Sequence, residues 1–445
     1  DKYGIDVNGY SVNFGTSVKR SRRVAKRLSK GIEYLLKKNK IEYIAGTASL
    51  KSAREVEVTG AKDKKKTVIQ SDNVIIATGA RNREFPGLET DGKRVISSKE
   101  AMVLDDIPKS MIIIGAGAIG AEFASLYSEY GTEIHFVEML PDLLPVEDVE
   151  ISRLLRKSFG ERGMNVHTSA KVEKIERLKT KVKVHVTKED GKKVLEAQLA
   201  LLAVGVQGNI EDMGLEESNI AVKKGWIQKN EFMETSQENV YAIGEVALYN
   251  DGIYGLVAPG YDMANVAVEQ ITGGDTTMVS SIDMSTQLKL IGTEVASFGD
   301  PFIENDDVSV IAFENKHKGV YKRINVTKDG SKLLGGILVG DSSDYNTLFQ
   351  LYINEMKLPE NPEDLILGAR GGESSSVGSV MDFPDTAQIC SCESVTKGSI
   401  CGMIKDESCC SLSDVVKATK ATSGCGGCKP MVVDLVNETL KSLGK

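Results

Sequence analysis

All seven cysteines of the 445-residue chain fall after position 389. Four of them form two close pairs, Cys390-x-Cys392 in "CSCESV" and Cys425-x-x-Cys428 in "SGCGGCKP". Thiolates are soft anionic donors, and a set of four suits a [2Fe-2S] cluster or tetrahedral zinc. The cluster is the preferred reading, with zinc and an empty thiol set as alternatives. The glycines of "SGCGGC" can turn backbone amides toward sulfur. Pro430 suits the first turn of a helix whose positive end would face the Cys428 thiolate. Cys401 falls at helical spacing with Ile404 and reads as core, and the vicinal pair Cys409 and Cys410 reads as incidental.

A second chemistry is written in glycine. Gly115, Gly117 and Gly120 form G-x-G-x-x-G directly after "MIII" and before a helical stretch. In that context the first glycine permits a tight turn, the second lets the backbone approach a pyrophosphate, and the third lets helix and strand pack closely. Glu138 ends the next strand, where a carboxylate can accept hydrogen bonds from ribose hydroxyls. No arginine or lysine follows it in "VEMLPD", so a 2′-phosphate would meet repulsion and NAD(H) is favoured over NADP(H). The competing reading is a purely structural glycine turn. Two further passages, "IIATGA" (75–80) and "VYAIGEV" (240–246), each end a strand in a glycine, Gly79 and Gly244. Glu245 follows the second and could hold the ribityl hydroxyls of a flavin; many α/β proteins carry such a turn.

No side chain is assigned as a catalytic acid or base. His135, His167, His185 and His317 all read as surface or strand residues. Hydride transfer between dinucleotides needs positioning and electrostatics more than a protein acid.

These residues need elements to hold them. From about residue 70 short β-rich runs alternate with helical stretches and glycine turns, the pattern of an α/β domain. The run 111–138 reads as strand, turn, helix, strand. Further strands are expected in "KVEKIERL", "KVKVHVTKED" and "AQLALLAVG", and a helix in "YDMANVAVEQITGG". The texture changes near residue 276, where hairpin signals such as "TKDGSKLLGGILVGD" begin. "GARGGESSSVGSV" (368–380) is rich in Gly and Ser and reads as a linker. The basic run "KRSRRVAKRLSKGIEYLLKKNK" (19–40), with Val18 directly before it, sets Val18, Ala25, Leu28, Ile32 and Leu35 at helical spacing, an amphipathic helix with a solvated face.

A formal net charge of −8 argues against a general nucleic-acid binder. No stretch reaches the length of a membrane helix and no signal segment opens the chain, so a cytoplasmic protein without a membrane partner is expected.

The first 235 residues resemble dihydrolipoamide dehydrogenase, a two-dinucleotide-fold flavoprotein reductase. The resemblance lies in "GIEYLLKKNKIEYIAGTASL", "NVIIATGARNREFPGL", "VISSKEAMVLDDIPKSMIIIGAGAIGAEF", "VEMLPDLLPVED" and "LLAVGVQGNIEDMGLEE". It implies FAD contacts at Thr78, Gly79, Gly244 and Glu245, and NAD contacts at Gly115, Gly117, Gly120, Glu122, Glu138 and Gly205. The family's first glycine fingerprint and redox-active cysteine pair are expected upstream of Asp1, and its carboxy-terminal dimer domain is not found.

From about residue 238 the chain resembles the large subunit of NAD(P)H-dependent nitrite reductase, in "NVYAIGEVALYNDGIYGLVAPGYDMANVAVEQITG", "DMSTQLKLIGTEVASFGDPF", "AQICSCESVTKGSI" and "KATSGCGGCKPMVVDLVNETLKSLGK". That resemblance implies a domain like bacterioferritin-associated ferredoxin, holding a [2Fe-2S] cluster on Cys390, Cys392, Cys425 and Cys428. Sirohaem and a [4Fe-4S] cluster are expected only in a portion beyond Lys445. A divergent reductase and a chimeric assembly of two genes both fit the pair of resemblances.

The expected fold is therefore α/β, a two-dinucleotide-binding (FAD/NAD) reductase fold lacking its N-terminal part. A small α+β domain and a small, mostly helical [2Fe-2S] domain follow. The domains expected are 1–105, partial FAD-binding; 106–228, NAD-binding; 229–275, the return segment of the FAD domain; 276–367, α+β; 368–384, linker; and 385–445, the cluster domain. The expected function is an electron-input module that passes electrons from NAD(P)H through FAD to the cluster and reduces an artificial acceptor with NADH. Its expected partners are small-molecule substrates and an electron-accepting sirohaem domain or subunit, with a homodimer as an open alternative. Competing functions are a dihydrolipoyl dehydrogenase-type fragment and a non-catalytic ferredoxin-like binding module.

Overall fold

The computed structural model describes residues 9, 11–144, 149–278, 284–288, 290–303, 305–367, 380–390, 393, 395–406, 408–423 and 428–444. The chain divides into two compact units, residues 1–253 and 254–445. Among the described residues no helix is long and apolar enough to cross a membrane.

The first unit opens with α1 (Phe14–Lys38), whose start is capped by the Asn13 side chain accepting the Thr16 N–H at 2.9 Å. Lys37 and Lys38 in its last turn suit the negative end of the helix dipole. None of its residues is buried, and Leu28, Ile32 and Leu35 stay more than half exposed. A three-stranded antiparallel meander follows, β1 (Gly46–Ser52), β2 (Glu55–Gly60) and β3 (Lys66–Gln70). After it come the short strands β4 (Val74–Ile76) and β5 (Ala80–Asn82).

The nucleotide-type domain begins with β6 (Val95–Ile96) and the single-turn α2 (Ser98–Ala101), which is closed by a capping box between Ser97 and Glu100. It continues through β7 (Ser110–Ile114), α3 (Ala118–Glu129), β8 (Glu133–Val137), α4 (Val149–Glu161) and β9 (Asn165–His167). An antiparallel sheet of β10 (Lys171–Arg177), β11 (Val182–Lys188) and β12 (Gly191–Ala197) then leads into β13 (Leu199–Leu202). β13 enters the parallel sheet, whose order is β6-β13-β7-β8-β9. Met111, Ile112 and Ile113 are fully buried, as continuous apolar strands covered on both faces must be. On one face Ile112 and Ile114 share a core with Ile175, Val184 and Leu195 of the antiparallel sheet.

β14 (Val206–Gly208) pairs back onto β5, and β15 (Val222–Lys223) and β16 (Trp226–Gln228) form a hairpin. β17 (Val240–Ala242) lies parallel to β4, with Val240 opposite Val74 and Ala242 opposite Ile76. After a 3-10 turn at Gly244–Val246, β18 (Ala247–Leu248) runs parallel to β16.

The second unit contains α5 (Val257–Ile271), which includes the expected helix "YDMANVAVEQI". A five-stranded antiparallel sheet follows, made of β19 (Thr286–Leu288), β20 (Val295–Gly299), β21 (Val308–Asn315), β22 (Val320–Thr327) and β23 (Leu333–Val339). Its order is β19-β20-β23-β22-β21. Leu348 and Leu351 of α6 (Tyr345–Ile353), with Leu365 and Ile366 of α7 (Asp364–Leu367), cover one face over Phe298 and Ile324.

Most of the expected linker, 368–379, lies outside the described residues. Among its described residues the closing domain has a small ladder, β24 (Gln388–Cys390) with β25 (Val395–Thr396), and three helices. These are α8 (Lys397–Lys405), α9 (Leu412–Thr419) and α10 (Lys429–Ser442). Phe383, near the end of the expected linker, is buried in its core. The buried Lys397 ammonium donates to the carbonyls of Met381 and Phe383 at 2.8 and 2.7 Å, fastening the entering chain to the start of α8.

Candidate functional site

The structure gives each glycine of the fingerprint a separate duty. Gly115 leaves β7 with φ +99°, and a Cβ there would meet the Ala203 carbonyl and the Val204 nitrogen at the end of β13. Gly120 lies one turn into α3, where a Cβ would run into the Gly115 carbonyl oxygen and the Phe136 ring. Gly117 caps α3 with ordinary backbone angles, and a Cβ there would meet nothing within 4 Å. Two glycines therefore close the packing of turn, helix and strand, and the third leaves an open approach to the helix N-terminus.

Glu138 follows β8 and is only 8% exposed. Its carboxylate accepts the Ala116 N–H at 2.7 Å and the Leu140 N–H at 2.8 Å, one on each oxygen. Each oxygen keeps a lone pair, so a fixed anion stands beside the glycine turn with acceptor capacity to spare.

A cavity of about 700 Å³ joins these groups. Gly115, Ala116, Gly117 and Glu138 line one side, Phe85 and Leu88 another, and Gly205 and Glu245 also border it. Burial raises the Glu245 carboxyl above its ordinary range. Glu122 sits half-buried on α3, outside the cavity lining. Of the residues expected to contact NAD, the structure thus gathers Gly115, Gly117, Glu138 and Gly205 around one space, with Gly120 behind them.

The residues expected at a flavin are brought together differently. Parallel pairing of β4 with β17 sets "IIATGA" beside "VYAIGEV", and Gly79 and Gly244 both leave their strands with positive φ, +66° and +70°. Thr78 is held by Asn209: its Oγ1 donates to the Asn209 carbonyl at 2.8 Å, and Asn209 Nδ2 returns a bond to the Thr78 carbonyl at 2.9 Å. The Asn209 N–H also donates to the Gly79 carbonyl at 2.9 Å. Arg81 ties the same turn to the Gly208 carbonyl at 3.0 Å and to Glu211.

In the closing domain Cys390 ends β24 and Cys428 caps α10, both buried in one core with Val432 and Leu435. Pro430 occupies the first turn of α10, as the sequence predicts. Cys392 and Cys425 lie outside the described residues. Among the described residues no three His, Cys, Asp or Glu side chains converge as a metal set. The donors that are described fit a cluster: two buried thiols on separate elements, one at a helix N-terminus where anionic sulfur is favoured. Cys401 is core as expected, with its Sγ 3.4 Å from Thr439 Oγ1. Cys409 is buried and Cys410 exposed. Burial, the Asp414 carboxylate and Cys410 all push the Cys409 thiol up.

Sequence spacing missed three features. Phe85 and Leu88 line the cavity from a loop whose residues carry no motif. Lys171, more than thirty residues beyond Glu138, also borders it. His135 and His167 meet across β8 and β9, with Nδ1 and Nε2 3.4 Å apart and ring planes within 9° of parallel. Only strand pairing could reveal that contact.

Residues 7–270 match the family described as pyridine nucleotide-disulphide oxidoreductase. The chain belongs to that family. Residues 285–356 match the rubredoxin NAD+ reductase C-terminal domain, and residues 388–438 match the BFD-like [2Fe-2S] binding domain. Both expected resemblances are found. The chain is 32% identical over 431 residues to the nitrite reductase (NADH) large subunit of Escherichia coli, covering 95% of this chain and 50% of that one. It is 39% identical over 274 residues to the dihydrolipoyl dehydrogenase of Chlorobaculum parvum, covering 61% of this chain and 57% of that one. Among solved structures, LpdA of Mycobacterium tuberculosis shares the fold with a TM-score of 0.68 at 22% identity, covering 78% of this chain and 79% of that one. The chain spans about half the length of the nitrite reductase subunit it matches. These matches make it an NAD(P)H-dependent flavoprotein reductase module followed by a [2Fe-2S] binding domain.

Proposed function

We propose that the chain is the electron-input part of a nitrite reductase large subunit, taking electrons from NADH and delivering them toward a sirohaem-bearing portion that reduces nitrite to ammonia. The observation that carries this reading is the single cavity bordered by the Gly115 to Gly117 turn, Glu138 and Glu245, which joins a nucleotide-type turn to the acid of the flavin-type turn. In this reading FAD, when bound, would supply the change from two-electron hydride chemistry to single-electron transfer, and a [2Fe-2S] cluster would supply one-electron carriage.

The chain's own residues do the positioning. The N–H groups at the start of α3, opened by Gly117, receive the dinucleotide pyrophosphate, and Glu138 accepts from the adenosine ribose hydroxyls. Gly120 holds α3 against β7 so that the turn keeps its shape, and Gly205 lets the backbone border the cavity without a side chain. Glu122 contributes from α3, outside the cavity lining. On the flavin side Thr78 and Gly79, fixed by Asn209, and Gly244 with Glu245 would hold FAD. Cys390, Cys392, Cys425 and Cys428 would hold the cluster. This reading requires no side chain as acid or base.

The domain boundaries given above, a cytoplasmic location, and association with a sirohaem domain or subunit belong to the same proposal. It is tested by the visible spectrum of anaerobically purified protein before and after NADH. Bleaching of flavin absorbance together with loss of cluster absorbance is the expected result. A protein that binds neither chromophore would overturn the reading.

A further inference from the structure

Cys390 ends a strand that its own ladder holds poorly. β24 pairs with the two-residue β25 in a sheet of two strands, and the register slips between Gln388 and Cys390. A two-stranded ladder is marginal by itself, and a slip of this kind re-aims the side chain beside it. The direction of the Cys390 thiol therefore depends on what fixes the backbone at Gln388.

That support comes from α6. The Gln350 side chain is 2% exposed, and its Nε2 donates to the Gln388 carbonyl at 2.8 Å across 38 residues of chain. Its Oε1 accepts from Asn354 Nδ2 at 3.0 Å, and the same Nδ2 donates to the Gln350 backbone carbonyl at 2.8 Å. Both ends of the amide are engaged, and its donor is aimed at one carbonyl. Gln350 stands between the core residues Leu348 and Leu351, where packing by itself would favour another apolar side chain. Met356, just past α6, packs against the core beneath α6 and against the core of the closing domain.

We propose that Gln350 is a positioning residue for the iron-sulfur site: it docks the closing domain on α6 and holds the Cys390 strand in its shifted register, fixing a thiol that would bind iron. Asn354 orients the amide. The closing domain then works as one body with the five-stranded sheet domain, joined by this contact as well as by the chain between them, and not as a tethered carrier. The inference rests on the reading of Cys390 as a cluster ligand.

Hydrogen exchange of the full chain, followed by mass spectrometry, tests the contact, and electron paramagnetic resonance of the dithionite-reduced chain tests its effect on the cluster. Gln350→Met keeps the length and burial of the side chain and removes the donor. It is expected to speed exchange in residues 387–390 about three- to tenfold, the loss of one hydrogen bond, with exchange in the five-stranded sheet unchanged. The g values of the reduced cluster should shift in the same variant. Asn354→Ala, at a half-buried site, should produce both changes to a smaller degree, and it decides the matter if Gln350→Met does not fold. Unchanged exchange in residues 387–390, or acceleration spread evenly over both domains, would overturn the docking role. Faster exchange with unchanged g values would overturn the positioning of Cys390. If the unaltered chain holds no iron, the reading of Cys390 as a ligand fails, while the exchange measurement still decides whether Gln350 docks the domain.

Discussion

The carbonyl oxygen of Gly115 occupies the space into which a side chain at Gly120 would project. The first and third glycines of the fingerprint thus form one packing contact. Gly120→Ala must displace the turn or the helix, an overpacking cost of about 1–3 kcal/mol. We expect a melting temperature lower by several degrees and NADH affinity reduced at least about tenfold. Gly117→Ala separates the two effects. Its Cβ meets no protein atom within 4 Å, so thermal stability should hold while nucleotide binding weakens. Differential scanning calorimetry beside an NADH titration reads both.

Cys428 and Cys390 share the core of the closing domain with Cys401 and Cys409, but only the first two belong to the close pairs. Cys390→Ser and Cys428→Ser are each expected to lose most of the bound iron and acid-labile sulfide. Cys401→Ser and Cys409→Ser should keep both. Because the Cys409 thiol is buried and pushed up, iodoacetamide should label Cys410 first. Iron retention in Cys428→Ser equal to that of the unaltered chain would remove Cys428 from the ligand set.

His167 is held down to about 4 from the usual histidine value of 6.5, first by burial and then by repulsion from His135, Lys193 and Lys188. Between those values the unfolded chain binds a proton that the folded chain does not. Stability therefore rises with pH across this window and is lost on acidification from about 6.5 toward 4. His167→Gln should remove up to about one proton of uptake on unfolding at pH 5, seen as a flatter pH dependence of urea midpoints between pH 4 and 7.

The Nζ of Lys229 is enclosed without a hydrogen-bond partner among the described residues, 4.1 Å over the Tyr249 ring. Burial pushes its ammonium down to about 7 from 10.5. The unfolded chain keeps that proton up to about pH 10.5, so the cost of charging a buried amine is fully present below pH 7 and fades as pH rises. Lys229→Met should stabilise the chain at pH 6 by about 1–2 kcal/mol, after allowance for the lost ring contact, with the gain shrinking by pH 9. A gain equal at both pH values would contradict a charged amine as its source.

What could be seen in the sequence depended on how local the determinant was. The passage 111–138 disclosed strand, glycine turn, helix and acid because its determinants lie within one continuous strand-turn-helix-strand unit, where even the Glu138 to Ala116 contact closes within 22 residues. Pro430 likewise marked the start of α10 by its own fixed backbone angle. Contacts made by the return of distant strands were not legible. The Asn209 clasp on Thr78, the His135 to His167 contact and the arrival of Lys171 beside Glu138 each depend on sheet register. Phe85 and Leu88 belong to this class too, as apolar loop residues whose role appears only once the cavity has a wall.

The pairing of β4 with β17 places Val74 beside Val240, with the whole nucleotide-type domain threaded between them. During synthesis, β4 leaves the ribosome with its parallel partner still untranslated. At about 5–20 residues per second that wait is on the order of ten seconds, long enough for the intervening domain to fold first. The order of assembly is then set by the route of the chain, and β4 spends that interval as an open edge in need of protection.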